Sequence, residues 1–456
     1  MKLISPTDAM FLVGESREHP MHVGGLQLFE PPADAGPDFV AELYASIAAN
    51  DDFQPTFRKH PASFFGGITN VGWTLDSEVD VDFHLRRSGL PRPGRVRDLL
   101  ELISRMHGTL LDRHRPLWEA YLVEGLNDGR FAVYTKIHHA LIDGVSAQRL
   151  MIRTLASDPA DREVRVPWTL TANKRAVTPS SQASSLIRAV GGAAAGIAGI
   201  APSAISLARA ALFEQQLTLP FRAPKTMFNV PIGGARRCAA QSWQLARIRS
   251  VKQAAAGSTI NDVVLAMCAG ALRAYLDEQH ALPETPLVAM VPVSLRGEHE
   301  QDAGGNMVGT ILCNLATDVV DPMKRLETIS ASMRDNKRVF SELPRTQALA
   351  LSGFLVAGLG LSLVPGFVSS APPPFNIVIS NVPGARQPMY WNGARLDGNY
   401  PLSIALDGQA LNITLTNNAD NLDFGLVGCR RSVPHLQRLL THLEDSLSAL
   451  EQAAGL

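Results

Sequence analysis

The 456-residue sequence is poor in cysteine and has no excess of charge of either sign. Its four cysteines include no CxxC pair, which argues against a disulfide framework or a cysteine-based metal site. Lysine and arginine number 42 against 43 acidic residues, a balance that indicates no nucleic-acid partner. At the N-terminus, Asp8, Glu15 and Arg17 interrupt the chain before a signal-length apolar core can form. The sequence therefore predicts a cytoplasmic protein.

Long apolar runs that could cross a membrane are also scarce. Residues 189–208 and 346–385 lack charge and approach the roughly 20 residues that span a bilayer. Both contain small residues and proline, so we predict core or interface helices there and not spanning helices. Peripheral contact with an inner membrane face or a lipid droplet is the alternative that these stretches leave open.

The composition supports two hydrophobic cores. Hydrophobic residues make up 46% of the chain and charged residues 19%, and a chain of this length exceeds what one core usually organises. Helical and strand patterns mix up to residue 160 and again from residue 238. Residues 161–237 carry proline, glycine and basic residues without strand periodicity. We therefore predict an α+β fold of two mixed-sheet domains, 1–160 and 238–456, joined by a crossover linker, 161–237.

Individual elements of the second half have clear patterns. Helices are predicted at 247–255, 261–276 and 434–449, the last from leucines at near-helical spacing. Strands are predicted at LVAMVPVSL, FNIVISNV and LNITLTNN, which are rich in β-branched residues.

The candidate chemistry lies in the segment RFAVYTKIHHALIDGVSAQRL, residues 130–150. β-branched and aromatic residues from Phe131 to His139 predict a strand, and the residues after Gly144 predict a helix. Side chains alternate across a strand, so His138 and His139 point in opposite directions, and His139 lies on the more apolar face. Desolvation keeps an imidazole on such a face uncharged, which suits a general base. His139 is therefore the candidate base.

The residues of this motif allow other interpretations. The two histidines diverge and no HxxxH or cysteine pair accompanies them, which disfavours a zinc site. His138 suits a structural role better than a catalytic one. Asp143 is best explained as a turn or cap residue that fixes the geometry of the corner. We assign His138, His139, Asp143 and Gly144 together to the candidate active site.

A second candidate feature is the helix that TINDVV opens. Thr259 and Asp262 have the spacing of a capping box. Asn261 lies at the helix N-terminus, where the dipole and the free N–H groups favour negative charge. The residues alone leave two interpretations open: Asn261 and Asp262 stabilise an oxyanion, or they only start the helix.

The motif HHALIDG, residues 138–144, resembles the HHxxxDG motif of the bacterial wax ester synthase/diacylglycerol acyltransferase family. That family belongs to the CoA-dependent acyltransferases related to chloramphenicol acetyltransferase. Segments along nearly the whole chain are similar too: SPTDAMFL, PMHVGGLQLF, PLWE, NDVVLAMCAGALRAYL, VPVSLR, GNMVG, SNVPG and GQALNITLTNN. No motif position departs from the family pattern.

The resemblance implies a two-domain, pseudo-symmetric chloramphenicol acetyltransferase-like fold with a tunnel along the domain interface. It implies that His139 is the general base on the hydroxyl of diacylglycerol and that acyl-CoA is a substrate. Neither a cofactor nor a metal is then needed, and triacylglycerol is the product.

The resemblance also extends to residues outside the histidine motif. It implies that Arg296 pairs with Asp143 across the domains, and it favours the oxyanion role for Asn261. Pro116, Leu117 and Trp118 match the family's PLW motif and are expected to form a wall of the acyl pocket.

Several functions remain as alternatives. A long-chain alcohol could replace diacylglycerol as acceptor, which would make a wax ester. A condensation domain acting on carrier-protein thioesters is disfavoured by the PLW, ND and SNVPG segments. A non-catalytic lipid-binding or lipid-droplet protein is disfavoured by the intact motif. Isolated basic residues of the linker could contact CoA phosphates or an anionic membrane, although such residues are more often only solvated: Arg222, Lys225, Arg236 and Arg237.

Overall fold

The computed structural model describes residues 2–62, 72–170, 220–294, 308–342 and 366–456. The helices in these residues are α1 Pro6–Gly14, α2 Phe39–Ala48, α3 Val81–His84, α4 Val96–His107, α5 Gly144–Arg153, α6 Leu245–Ala254, α7 Ile260–Glu278, α8 Pro322–Glu342, α9 Phe367–Ser370 and α10 Arg438–Ala453. The strands are β1 Lys2–Leu3, β2 His22–Glu30, β3 Lys59–Pro61, β4 Gly72–Leu75, β5 Leu85–Gly89, β6 Trp118–Glu124, β7 Phe131–His138, β8 Arg236–Gln244, β9 Val288–Ser294, β10 Val308–Asn314, β11 Ile377–Ala385, β12 Tyr390–Trp391, β13 Ala394–Leu402, β14 Leu411–Asn418 and β15 Asn421–Cys429.

Two six-stranded mixed sheets organise the molecule. The first sheet has the order β12-β13-β2-β7-β6-β5, and the second has the order β10-β9-β11-β14-β15-β8. Most neighbours are antiparallel, but β5 runs parallel to β6, and β11 runs parallel to both β9 and β14. A small sheet, β1-β4-β3, lies outside both. This is the α+β architecture of two mixed sheets with flanking helices that the sequence predicts.

The first sheet takes strands from both ends of the chain. Strand β13 pairs antiparallel with β2, with Asn399 opposite Gln27 and Leu402 opposite Gly24. The predicted division into contiguous segments at residues 160 and 238 does not include this exchange, because β12 and β13 belong to the C-terminal segment. The two halves of the molecule are therefore joined by hydrogen-bonded strands as well as by packing.

Helix α7 is the centre of the second half. Twelve of its 19 residues are buried, and it packs against α6, α8 and α10. A helix that is apolar around most of its circumference belongs inside a core. Helix α10 buries Leu439, Leu443, Leu447 and Leu450, the pattern from which it was predicted. It begins four residues after the predicted start at Pro434, because His435 adopts a left-handed φ of 51° that a helix cannot continue.

Of the two uncharged stretches, only the last part of the second belongs to the described residues. Residues 189–208 lie outside the described residues, as do residues 346–365 of the second stretch. The rest of the second stretch forms α9 and β11. In the parts of the chain that the structure describes, no helix combines the length and apolar character that crossing a bilayer requires.

Candidate active site

A cavity of about 440 Å³ lies between the two sheets, closed on one side by α5. The first sheet contributes side chains of β2, β7 and β13, and the second contributes side chains of β9, β11 and β14. The wall is mainly apolar, with a few polar side chains, a composition typical of small-molecule sites. The residues that line it are Val23, Gly24, Gly25, Thr135, Ile137, His139, Asp143, Gly144, Val145, Ala147, Gln148, Met151, Pro292, Val378, Ser380, Val382, Pro401, Leu402, Ser403 and Thr414.

His139 follows directly on β7 and faces this cavity. Thr135, Ile137 and His139 line it together, which is the strand alternation that the sequence predicts. The backbone N–H of His139 donates to the carbonyl of Met21 at 2.8 Å. The ring of Phe11, from α1, stacks on the imidazole with centroids 4.1 Å apart and an angle of 20° between the planes. The hydrogen bond thus fixes the main chain of His139, and the aromatic face holds its imidazole.

The imidazole of His139 is uncharged near neutral pH. Burial lowers its pKa to about 4, and the proximity of His138 acts in the same direction. The carboxylate of Asp143 and a hydrogen bond to the backbone of His139 itself oppose this shift. One ring nitrogen of the neutral imidazole carries a proton, and the other is free to accept one.

His138 lies on the opposite face of the strand and is completely buried. Its Nδ1 accepts the backbone N–H of Ala140 at 3.0 Å, and its Nε2 lies 3.3 Å from Oε1 of Glu15. Glu15 also accepts the backbone N–H of Met21 and pairs with Arg113 at 2.9 Å. Burial raises the pKa of Glu15, but His138, Met21 and Arg113 together lower it by more. The net shift is downward, so the carboxylate is ionised. His138 therefore holds the segment that positions His139 and does not face the cavity.

Asp143 and Gly144 form the start of α5 at the cavity wall. Asp143 is the N-cap of the helix, with Oδ1 accepting the N–H of Ser146 at 2.8 Å and Oδ2 accepting its hydroxyl at 2.9 Å. The prediction of a cap residue at this position is confirmed. A Cβ built on Gly144 would meet no described atom within 4 Å, so a side chain there would extend into open space at the cavity.

The PLW residues do not line the cavity. Trp118 is stacked between the rings of His84 and Trp168, with centroids 4.6 and 4.9 Å away. Leu117 is fully buried in a small cluster with Leu12 and Ala140, and Pro116 is buried beside it. The three residues are therefore packed inside the protein and do not form the expected wall of this cavity. Their link to the site is indirect, because the carbonyl of Leu117 accepts the N–H of His138 at 3.0 Å.

The predicted oxyanion residues belong to the first turn of α7. Thr259 and Asp262 form the expected capping box at the start of α7, with the two hydrogen bonds at 3.2 and 2.8 Å. Asn261 and Asp262 do not belong to the described cavity wall. Asp262 thus caps the start of the helix, and the oxyanion role of Asn261 stays a prediction. Arg296 lies outside the described residues, so its pairing with Asp143 stays a prediction.

The structure adds two site residues that sequence reasoning missed. Phe11 reaches His139 only through the packing of α1, and no local pattern signals such a contact. Gln148 lines the cavity one helical turn after Gly144, so the helix period offered a signal for it.

None of the described residues that line the cavity is a lysine or an arginine. In the described segments, no group of three or more His, Cys, Asp or Glu side chains could hold a metal ion. Arg236 is buried and donates to the carbonyls of Gly233, Glu18 and Ala405. It is therefore a structural residue and not a contact for CoA phosphates.

Comparisons with known proteins agree with this geometry. The model of the wax ester synthase/diacylglycerol acyltransferase catalytic domain matches residues 4–264, and the model of the corresponding C-terminal domain matches residues 304–451. The probable diacylglycerol O-acyltransferase tgs2 of Mycobacterium tuberculosis is 67% identical over 456 residues, which cover all of both chains.

Two solved structures show how far the fold is shared. The wax ester synthase/diacylglycerol acyltransferase from Marinobacter aquaeolei VT8 is 40% identical, with a TM-score of 0.81 over the whole of both chains. The first condensation domain of the CDA synthetase is 17% identical, with a TM-score of 0.58 over 100% of this chain and 96% of that domain. At that level of identity the second likeness concerns the fold alone.

Proposed function

This chain belongs to the wax ester synthase/diacylglycerol acyltransferase family and is an acyltransferase, and from that premise we propose that it transfers a long-chain acyl group from acyl-CoA to diacylglycerol. The observation that carries the proposal is the position of His139. Its uncharged imidazole faces a mainly apolar cavity between the two halves of the molecule. An alcohol and a thioester can meet there away from water, which limits hydrolysis of the thioester.

The proposed chemistry needs one base. The acceptor hydroxyl attacks the thioester carbonyl carbon while Nε2 of His139 takes its proton. The C–S bond then breaks, and the protonated imidazole returns the proton to the CoA thiolate. Triacylglycerol and CoA leave, and His139 ends uncharged, as it began. The stacked ring of Phe11 and the bond from His139 N–H to Met21 fix the direction in which Nε2 points.

A long-chain alcohol is the second candidate acceptor. The mainly apolar cavity wall favours it, because a linear alcohol needs no polar partner beyond the base. The Marinobacter relative is named both a wax ester synthase and a diacylglycerol acyltransferase. Hexadecanol should therefore be tested beside diacylglycerol.

The proposal is tested with purified protein and labelled palmitoyl-CoA, offering diacylglycerol and hexadecanol separately. We expect His139→Ala to lower the rate by roughly 10²- to 10⁴-fold, the usual contribution of a positioned base. His114→Ala is the matched control, because that imidazole is 89% exposed and lies outside the cavity wall. Product formation by His139→Ala at the wild-type rate would contradict the general-base role.

The acceptor is further proposed to reach the enzyme from a membrane or lipid-droplet surface. The support is a set of exposed apolar side chains on the N-terminal elements: Leu3 and Val13 are more than 70% exposed, and Leu75 is 48% exposed. Flotation with phosphatidylcholine vesicles containing diacylglycerol tests this, with Leu3→Asp/Val13→Asp expected to reduce binding. Equal flotation of both proteins would contradict it.

A further inference from the structure

Gln148 lies on the face of α5 that lines the cavity. Gly144, Ala147, Gln148 and Met151 all belong to the cavity wall, and their spacing of three, four and seven residues places them on one side of a helix. Gln148 is only 5% exposed. A carboxamide is an unusual choice for a buried position on a largely apolar wall.

The amide nitrogen of Gln148 has no hydrogen-bond partner among the described residues, although it is buried. Two other polar side chains of the same wall do have partners. Asp143 accepts from Ser146, and the hydroxyl of Thr414 donates to Asn412 at 2.7 Å. A buried N–H without an acceptor is unfavourable, and such groups in proteins are usually satisfied by something. The amide of Gln148 is therefore a buried donor that an acceptor oxygen of a bound ligand would satisfy.

We propose that Gln148 donates a hydrogen bond to an ester carbonyl of the diacylglycerol acceptor, an inference that rests on the proposed function. Diacylglycerol carries two ester carbonyls close to its free hydroxyl, whereas a fatty alcohol carries no carbonyl. A site that hydrogen-bonds one substrate discriminates against an analogue without the matching group, because its own polar atom is then left unpaired. Gln148 thus favours diacylglycerol over a linear alcohol.

The test crosses one change in the protein with one change in the substrate. The protein change is Gln148→Met, which removes the amide while keeping an unbranched side chain of similar length. The substrate change is 1,2-dialkylglycerol in place of 1,2-diacylglycerol, which removes both carbonyls and keeps the hydroxyl. Hexadecanol is the third acceptor, and palmitoyl-CoA is the acyl donor throughout.

We expect wild-type kcat/KM to be roughly tenfold higher for diacylglycerol than for dialkylglycerol, through KM more than kcat. Gln148→Met should lose that preference by slowing with diacylglycerol alone. Its rates with dialkylglycerol and hexadecanol should stay within about twofold of wild type. The ratio between substrates is the readout, and a variant that is merely less stable does not change it.

Gln409→Met is the matched control, because Gln409 is also buried, at 4% exposure, but lies outside the cavity wall. It should leave all ratios unchanged.

Equal slowing of Gln148→Met with all three acceptors would overturn the inference, since it would place the amide at the thioester that they share. An unchanged ratio would overturn it as well. If Gln148→Met does not fold, equal wild-type rates with the two glycerolipids still decide against it. A wild-type enzyme that acylates hexadecanol only would overturn the proposed function itself.

Discussion

At the scale of single residues, the pKa of His139 determines how the reaction should depend on pH. Burial lowers that pKa to about 4, so the imidazole is already the free base at neutral pH. We expect kcat/KM for acyl transfer to be constant between pH 6 and 8 and to fall only as the pH approaches 4. A pH–rate profile with diacylglycerol in excess measures this.

Two effects could imitate such a profile and need controls. The phosphate groups of CoA titrate near pH 6, so the series is repeated with S-palmitoyl pantetheine, which lacks them. Circular dichroism at each pH identifies any acid unfolding. A fall centred near pH 6.5 with both thioesters, in folded protein, would show that the imidazole titrates as if it were exposed. The apolar surroundings would then not control its charge.

At the scale of elements, variants of the N-cap of α5 distinguish a structural role of Asp143 from a catalytic one. Asp143→Asn keeps an oxygen that can cap the helix, whereas Asp143→Ala loses it and should cost about 0.5–2 kcal/mol of stability. If Asp143 acts by capping, Asp143→Asn should retain most of the activity and Asp143→Ala should lose more. Thermal unfolding and initial rates of both variants measure this.

The matched control for this pair is Thr259→Ala. It removes the N-cap of α7, which lies outside the cavity wall, and should lower stability by a similar amount without lowering the rate of the folded protein. Folded Asp143→Asn with as little activity as Asp143→Ala would show that the negative charge itself is required. Loss of activity in folded Thr259→Ala would indicate that the N-terminus of α7, with Asn261, takes part after all.

The elements that could be predicted from the sequence are those with a local signature. The corner from β7 to α5 follows from side-chain alternation and a helix pattern, and the capping box of Thr259 and Asp262 follows from its spacing. Those signatures could not show what each element packs against. The PLW residues were therefore assigned to the cavity although they are internal, and the contact of Phe11 with His139 was not expected.

At the scale of the whole molecule, the connection between the halves is the part that the sequence could not reveal. The pairing of β13 with β2 joins residues about 370 positions apart, and no local pattern encodes which strand edge a segment will join. The cavity depends on this exchange, because Pro401, Leu402 and Ser403 line it from the end of β13 and the loop that follows. The carbonyl of Ser403 accepts Nε2–H of His107 at 3.1 Å, and this fixes the loop on the first half.

Asp423 should make this connection between the halves sensitive to pH. The residue lies on β15 of the second sheet, and its Oδ2 accepts the backbone N–H of Asn399, on β13 of the first sheet, at 2.6 Å. Burial raises its pKa from 3.8 to about 7, although hydrogen bonds oppose the shift. Between these values the folded protein holds a proton that the unfolded chain releases, so this group's contribution to stability is lost as the pH rises from about 4 to 7.

Asp423→Asn does not titrate, and its stability relative to wild type should therefore rise over that range and level off above pH 7. Melting temperatures measured between pH 5 and 8, beside the exposed Asp445→Asn as control, test this, and a constant difference between Asp423→Asn and wild type would contradict it.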